Sequence, residues 1–152
     1  MTSKIYRPAA ASDQAAIAEI AEATLFPGDM VPGMMAPYLS GNGGDLRWVA
    51  GADGEVAAFA FAQPEIATDN TWNVRAIAVR ENARRQGLAR GLIESVETGA
   101  PGARLLIIDT SQVDEQAAAR QTYLACGYTQ VAHIADFWAD CDDKVSFAKR
   151  LA

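Results

Sequence analysis

The sequence predicts an α/β fold in which a mixed central β-sheet is flanked by helices. Short apolar runs typical of strands alternate along the chain with stretches whose apolar residues recur every three to four positions, as in amphipathic helices. Two of the strand-like runs are apolar at almost every position, which is typical of strands covered on both faces. The 152 residues suffice for one hydrophobic core, so we expect a single domain over residues 1–152.

The first part of the chain predicts a strand, a helix and a long irregular segment. Residues 4–8 are typical of a short strand, and Asp13 is expected to cap a helix over residues 14–25. Residues 26–45 are rich in proline and glycine and show no strong periodicity, although a short helix fits residues 34–39. This segment is predicted to be either a substrate-facing loop or a simple connector.

A group of three strands follows, over residues 46–50, 56–62 and 72–80. Residues 52–54 carry the signal of a hairpin turn between the first two of these strands. The third strand is almost entirely apolar over residues 74–79, and we expect it to lie at the centre of the sheet.

The second part of the chain continues the alternation. A helix is predicted over residues 87–97, where four apolar residues form a buried stripe, namely Leu88, Leu92, Ile93 and Val96. A buried strand follows at residues 103–109, and Asp114 is expected to cap a helix over residues 115–126. The closing strands are predicted at residues 128–134 and 144–149, with a turn between them.

Composition excludes several classes of function. The formal net charge is −6, which argues against binding nucleic acid, because that requires a basic face. The sequence has no apolar run near the roughly 20 residues that a membrane-spanning helix needs, and its N-terminus lacks the apolar centre of a secretory signal. We therefore expect a cytoplasmic protein without a membrane partner.

Cysteine and histidine are too few to indicate a metal site. The chain has two cysteines, Cys126 and Cys141, and one histidine, His133, with neither a CxxC nor an HExxH spacing. Two thiols do not make a disulfide framework, so a reducing compartment and no bound metal are expected.

The segment that indicates chemistry lies where the central strand ends and the next helix begins, at residues 77–90. The first turn of a helix presents main-chain N–H groups without internal partners, and the helix dipole adds partial positive charge there. Gly87 lets a ligand approach the main chain closely, and Ala89 keeps a second position small. Four of the 13 basic residues lie in this turn and its flanks: Arg80, Arg84, Arg85 and Arg90. An anionic ligand such as a phosphate fits this combination.

Two stretches of this sequence resemble a known family. Residues 84–89, R-R-Q-G-L-A, resemble the R/Q-x-x-G-x-G/A signature of the GNAT superfamily of acetyl-CoA-dependent N-acetyltransferases. Residues 119–128, A-R-Q-T-Y-L-A-C-G-Y, are similar to the A-R-x-x-Y-x-x-x-G-F/Y stretch of the same superfamily. The similarity extends from residue 72 to the C-terminus, whereas the first 70 residues agree only in the order of their elements.

The resemblance implies a GNAT-like fold and transfer of an acetyl or other acyl group from acetyl-CoA to a primary amine of a small molecule or peptide. The amine would attack the thioester directly while both substrates are bound. The alternative is a regulatory module of the same fold that binds acyl-CoA without turnover. Family members often form homodimers, and this sequence names neither its acceptor nor an interface.

The resemblance also implies which residues hold acetyl-CoA. The main chain of Ile77, Ala78 and Val79 would pair with the pantetheine arm like an added strand. The pyrophosphate would be held by the N-terminal turn of the helix, which comprises Arg84, Arg85, Gln86, Gly87, Leu88 and Ala89, with Arg90 adding positive charge. Many members have glycine in place of Arg85, and Gln116 occupies a position where asparagine often contacts the pantetheine.

For catalysis, the resemblance implies that Tyr123 protonates the leaving thiolate. A phenol with an ordinary pKa near 10 is a feasible acid for a thiolate whose conjugate thiol has a pKa of about 8.5 or higher. The attacking amine must lose a proton, and Glu65 is the nearest carboxylate candidate, with His133 and water as alternatives. Cys126 precedes the predicted helix end and is expected to be buried and inert.

Aromatic residues beside the central strand and the final turn suggest an acceptor pocket. We expect Trp72, Asn73, Phe137 and Trp138 to line it. The same aromatic residues also suit a hydrophobic core.

Overall fold

The computed structural model describes residues 4–41, 44, 46–52 and 54–151, and over these residues the chain forms one seven-stranded sheet and four α-helices. The strands are β1 Lys4–Pro8, β2 Leu46–Ala52, β3 Glu55–Pro64, β4 Thr71–Val79, β5 Leu105–Ser111, β6 Thr129–Ala139 and β7 Asp142–Arg150. The helices are α1 Gln14–Thr24, α2 Val31–Leu39, α3 Leu88–Gly99 and α4 Ala117–Ala125. Asp45 and Asp53, which belong to the predicted segment 26–45 and the predicted turn 52–54, lie outside the described residues.

The strand order β1-β2-β3-β4-β5-β7-β6 confirms the predicted mixed sheet. Its β4–β5 pair is parallel, and the other neighbouring strands are antiparallel. The parallel pair is joined through α3, as a crossover connection requires. In the described part of the chain, no helix combines the length and apolar character needed to cross a bilayer.

Helices cover both faces of the sheet. On one face, the predicted stripe of α3 is buried against β4, β5 and β7 together with Tyr123 of α4. Each fully buried aliphatic side chain of this kind contributes roughly 1.5–3 kcal/mol. On the other face, α1 and α2 pack on Phe59, Phe61, Ala76 and Ala78. Because β4 contributes to both cores, its predicted central position is confirmed.

Two predicted helix caps are wrong. Helix α1 begins at Gln14 as expected, but the carboxylate of Asp13 makes no capping hydrogen bond to it. That carboxylate instead accepts hydrogen bonds from Arg7 at 2.7 and 2.8 Å and from the main-chain N–H of Ala10 at 2.7 Å. Asp114 lies in a short 3-10 turn, and α4 begins only at Ala117 without a side-chain cap. In both places a 3-10 turn precedes the helix and displaces the acid from the capping geometry.

The segment predicted as a loop over residues 26–45 contains helix α2, which begins three residues before the short helix predicted at 34–39. Val31 and Met35, one helical turn apart, are fully buried against the sheet and α1. Pro32 is tolerated because it lies in the first turn, where its missing N–H has no partner to lose. Tertiary burial of this turn therefore outweighs the weak local pattern.

We expect the Asp13→Asn substitution to lower the free energy of unfolding by about 1–2 kcal/mol at neutral pH, since it weakens charge-assisted hydrogen bonds to a buried acceptor. Asp13 is buried, whereas the Arg7 side chain is about half exposed, which limits the effect. Urea denaturation monitored by circular dichroism measures the difference. Asp29→Asn, at an exposed position, is the matched control and should change stability by less than about 0.5 kcal/mol.

The effect of Asp13→Asn on the free energy of unfolding should disappear in acid. Hydrogen bonds from Arg7 are the main cause that lowers the pKa of Asp13 below its ordinary value. A carboxylate whose pKa is lower in the folded state stabilises the fold at pH values above its unfolded-state pKa of about 3.9. This stabilisation disappears as the pH falls through the folded-state pKa. The stabilities of wild type and Asp13→Asn should therefore converge near pH 2. A difference that stays constant with pH would contradict this assignment.

Candidate active site

The sheet opens at its centre because β4 and β5 separate. Their parallel pairing runs from Thr71 and Leu105 to Val74 and Ile108, and among the described residues it ends there. Both strands continue beyond this point, β4 to Val79 and β5 to Ser111. The second half of β4 therefore has one edge whose main-chain groups are free of strand partners, which is the geometry needed to pair with an extended ligand.

A β-bulge marks the point of separation. The pairing of β3 with β4 shifts between Phe61 and Ala62, whose partners are Ala76 and Val74, so Arg75 is an extra residue in β4. A bulge increases local twist and redirects the strand. Because of it, Ala76 and Ala78 face α1 and α2, while Ile77 and Val79 face α3.

A cavity of about 510 Å³ lies along the free edge of β4. Its walls come from β4, from the turn and first residues of α3, from α4 with its preceding turn, and from the end of α1. Of the sequence-predicted site residues, it brings together Ile77, Ala78, Val79, Arg84, Arg85, Gly87, Leu88, Ala89, Arg90, Gln116 and Tyr123. Residues from distant parts of the chain thus converge on one concave surface.

The start of α3 provides main-chain donors to this cavity. Gly87 is the N-cap, with φ of +78°, a left-handed conformation that glycine adopts without steric cost. The first helical hydrogen bond is donated by Gly91 to the carbonyl of Gly87 at 3.1 Å. In the described structure, the amides of Leu88, Ala89 and Arg90 have no protein acceptor, so they are available to an anion.

The arginines of the turn differ in their environment. Within the described residues, the side chains of Arg84 and Arg85 make no hydrogen bond or ion pair, so both remain available to an anion in the cavity that they line. Arg90 donates to the carbonyl of Ala125 at 3.2 Å and thereby joins α3 to the end of α4. Arg85 has φ of +66°, a left-handed conformation that glycine adopts more easily than arginine.

Gln86 is placed differently from its neighbours in the turn. It is not among the residues that line the cavity, and its main-chain carbonyl accepts a hydrogen bond from Lys4 Nζ. Its side-chain Oε1 is buried without a partner among the described residues. Its role in binding acetyl-CoA stays a prediction.

Tyr123 reaches the cavity wall from α4. It is only 3% exposed, and its ring packs edge to face on Phe147 with centroids 5.7 Å apart. Burial is the main cause that raises the pKa of Tyr123 above its ordinary value, and nearby Cys126 adds to the effect. The phenol is therefore protonated throughout the physiological pH range and has a proton to donate.

Cys126 and His133 are less suited than Tyr123 to a role in the chemistry. Cys126 was predicted to be buried, but it is only partly buried and lines the cavity. Burial still raises the pKa of its thiol, which disfavours the nucleophilic thiolate. His133 lies on the exposed strand β6, and its Nε2 atom is 2.6 Å from a carboxylate oxygen of Asp143 on β7. His133 is not among the residues that line the cavity.

A polar cluster lies where the strands separate, on the sheet face opposite Tyr123. Asn73 donates hydrogen bonds to Glu65 at 2.8 Å and to Asp109 at 3.1 Å. Arg75 lies 3.6 Å from Glu65 and Lys144 lies 3.5 Å from Asp109, so two cations balance the two carboxylates. The structure thus places Glu65 in this cluster and not in the cavity wall.

Asp109 was missed by the sequence analysis, which treated it only as the end of a buried strand. Its side chain is 13% exposed and accepts a hydrogen bond from Ser146 at 2.6 Å. The sequence did offer one signal for Asp109, because it is a single acidic residue at the end of an otherwise apolar strand. In the same cluster, the Oδ1 atom of Asn73 is buried without a partner among the described residues.

The residues predicted to line an acceptor pocket do not all lie together. Trp72 is buried in the core beneath α3. It precedes the bulge and directly neighbours Asn73, so its side chain lies on the sheet face opposite the polar cluster. Phe137 and Trp138 are half exposed, and the Lys144 ammonium lies 4.3 Å from the centroid of the Phe137 ring. Trp138 donates to the carbonyl of Thr110 at 3.2 Å, next to Asp109. The two aromatic residues thus border the polar cluster.

The family is established by sequence. The profile of the acetyltransferase (GNAT) domain matches residues 44–130, which is more than half of the chain and includes the free edge of β4, the turn before α3 and Tyr123. The chain belongs to the GNAT family. Membership in this acetyltransferase family implies acyltransferase activity. Comparison with curated protein sequences gives no match.

Solved GNAT structures share the fold over nearly the whole chain. A Desulfovibrio desulfuricans protein assigned to the GNAT family is 25% identical, with a TM-score of 0.88 and coverage of 99% of this chain and 100% of that one. The Escherichia coli ribosomal-protein-S18-alanine N-acetyltransferase is 21% identical, with a TM-score of 0.79 and coverage of 99% and 95%. A Salmonella typhimurium acetyltransferase solved with acetyl-CoA is 19% identical, with a TM-score of 0.78 and coverage of 98% and 94%.

The described residues of this GNAT chain contain no group of three or more histidine, cysteine, aspartate or glutamate side chains placed to hold a metal ion. The polar cluster contributes only two carboxylates, and the Asn73 amide nitrogen and two cations already contact them.

Proposed function

We propose that the protein is an N-acetyltransferase that transfers the acetyl group of acetyl-CoA to a primary amine by direct attack in a ternary complex. One observation carries the proposal: the cavity joins the free edge of β4, the unpaired amides of α3 and the buried phenol of Tyr123 on one surface. A thioester with an extended arm and a pyrophosphate needs these three features together.

Acetyl-CoA would lie along the cavity as follows. The main chain of residues 77–79 pairs with the pantetheine arm, and Gln116 contacts it from the start of α4. The amides of Gly87, Leu88 and Ala89 hold the pyrophosphate, with Arg84 and Arg85 supplying charge from the preceding turn. The similar Salmonella typhimurium structure was solved with acetyl-CoA, which supports this assignment.

In the proposed reaction the amine attacks the thioester carbonyl, the carbon–sulfur bond breaks, and the sulfur leaves as a thiolate. Tyr123 donates its proton to that thiolate, since its side chain reaches the cavity wall. Holding both reactants in one cleft supplies much of the rate.

The acceptor would approach from the face that carries the polar cluster. Glu65 takes the proton that the amine must lose, and it is held for this task by the Asn73 amide. Phe137 and Trp138 supply half-exposed aromatic surface beside this entrance.

The acceptor class remains a primary amine of a small molecule or a peptide. GNAT structures similar to this chain include an aminoglycoside 6′-N-acetyltransferase complexed with coenzyme A, at 15% identity, and the S18-alanine N-acetyltransferase. These neighbours act on a small-molecule amine and on a protein, so the shared fold accommodates both.

The first test is calorimetric titration of the purified protein with acetyl-CoA and with free CoA, followed by a screen of amines for thiol release. We expect micromolar binding of acetyl-CoA and release of thiol that depends on an amine. Absence of acetyl-CoA binding would overturn the proposal. Binding without amine-dependent thiol release across amino acids, polyamines, aminoglycosides and N-terminal peptides would instead favour the non-catalytic acyl-CoA-binding module.

A further inference from the structure

Strand β1 makes three contacts with the first turn of α3 and the residues just before it. Lys4 donates from Nζ to the main-chain carbonyl of Gln86, and the hydroxyl of Tyr6 lies 3.5 Å from the carbonyl of Gly87. The Tyr6 ring also fills the space beside Gly91, where even a single Cβ would overlap it. Lys4 and Tyr6 lie two residues apart and therefore point to the same side of β1.

The Lys4 contact bears on the orientation of one peptide group. The described residues contain no cis peptide bond, and in a trans peptide the carbonyl of one residue and the N–H of the next point in opposite directions. Lys4 holds the Gln86 carbonyl, and neither Lys4 nor Gln86 lines the cavity, whereas Gly87 does. With the carbonyl fixed on the outer side, the N–H of Gly87 is directed to the inner side.

We propose that Lys4 is a positioning residue for acetyl-CoA, which orients the Gln86–Gly87 peptide so that the Gly87 amide faces the pyrophosphate. This inference rests on the proposed function and adds a residue that lies 82 positions before Gln86 in the chain. Glycine at residue 87 has wide conformational freedom, so without an external contact this peptide would be free to turn.

The positive charge of Lys4 should also favour binding of the pyrophosphate. A hydrogen bond from an ammonium to the carbonyl polarises the peptide and makes its N–H a stronger donor. The Lys4 ammonium also lies 3.7 Å from the place that a Cβ of residue 87 would occupy, so it adds positive charge beside the first turn of α3. An anion in the cavity benefits from both contributions, and a ligand without an anion benefits from neither.

The test compares Lys4→Met, which keeps an unbranched apolar side chain and removes the ammonium, with wild type and with Lys4→Arg. We expect Lys4→Met to raise the Kd and the KM for acetyl-CoA about tenfold and to leave kcat within about twofold. Lys4→Arg should restore the Kd to within about threefold of wild type. With S-acetylpantetheine, which lacks the pyrophosphate, Lys4→Met and wild type should have equal kcat/KM.

Tyr6→Phe serves as the matched control on the same strand. It removes only the long 3.5 Å contact and keeps the ring beside Gly91, so the Kd for acetyl-CoA should stay within about twofold of wild type. An unchanged Kd in Lys4→Met would overturn the inference while leaving the proposed function intact. An equal loss with S-acetylpantetheine would also overturn it, because the effect would then be independent of the pyrophosphate. Failure of wild type to bind acetyl-CoA would refute both proposals.

Discussion

The Ala89→Glu variant is expected to bind acetyl-CoA at least about 100-fold more weakly than wild type. Ala89 is the second residue of α3 and lines the cavity beside the amides proposed to hold the pyrophosphate. A carboxylate there would face the phosphates, and like charges about 4 Å apart at a protein surface repel by up to roughly 4 kcal/mol, more than the approximately 2.7 kcal/mol that 100-fold requires. Isothermal titration calorimetry measures the loss.

The variant is chosen because it should fold normally. Glutamate in the first turn of a helix interacts favourably with the helix dipole, so we expect no loss of thermal stability. Ala15→Glu is the matched control: it is also the second residue of its helix, α1, but it is exposed and does not line the cavity. Ala89→Gln separates volume from charge and should weaken binding by less than about tenfold. Wild-type affinity in a folded Ala89→Glu protein would place the pyrophosphate elsewhere.

Replacing Tyr123 by phenylalanine is expected to lower kcat by about 100-fold or more while the Kd for acetyl-CoA changes by less than about threefold. The buried ring and its contact with Phe147 remain, so only the proton donor is lost. A thioester with a more acidic leaving thiol should restore part of the lost rate, because its thiolate needs less protonation. Steady-state kinetics with the two thioesters measures both effects.

Tyr128→Phe is the control for Tyr123→Phe. Tyr128 is also buried, its hydroxyl donates to Glu97 at 2.7 Å, and it is not among the residues that line the cavity. Its loss should lower stability by about 1–2 kcal/mol and leave kcat unchanged. An undiminished kcat in Tyr123→Phe would refute the assignment of the proton donor.

The raised pKa of Tyr123 sets a limit on the pH dependence of the same enzyme. Catalysis requires the protonated phenol, and burial keeps it protonated above its ordinary pKa of about 10. We therefore expect kcat not to fall through deprotonation of Tyr123 below about pH 10.

Local pattern was sufficient for the elements that are proposed to hold acetyl-CoA. The apolar stripe of α3, the almost wholly apolar strand β4 and the glycine between them are all read from neighbouring residues, and the structure has each of them close to the predicted bounds. The arginines of the turn also stood out, since they are concentrated in an acidic chain. Periodicity and turn chemistry act over a few residues, so sequence alone is adequate for them.

Local pattern failed where contacts in the folded chain outweigh the preference of a short span of residues. Asp13 has the composition of a helix cap, but Arg7 and the Ala10 amide bind its carboxylate instead. Residues 31–39 lack a strong helical pattern, but burial of Val31 and Met35 stabilises α2. Trp72 was assigned to a pocket because it flanks the central strand, but its side chain is buried in the core beneath α3, on the face opposite Asn73.

The sequence by itself determined the class of fold, the arginine-rich turn at Gly87 and the family to which the chain belongs, because each depends on short spans of residues. Only the tertiary structure decided that β4 and β5 separate after Val74 and Ile108, that Glu65 joins Asn73 and Asp109, and that Lys4 reaches the carbonyl of Gln86. The contacts of Asn73 with Asp109 and of Lys4 with Gln86 join residues far apart in the chain. Which of them form depends on the register of the strands and on the twist at the bulge, and both are set by packing of the whole sheet.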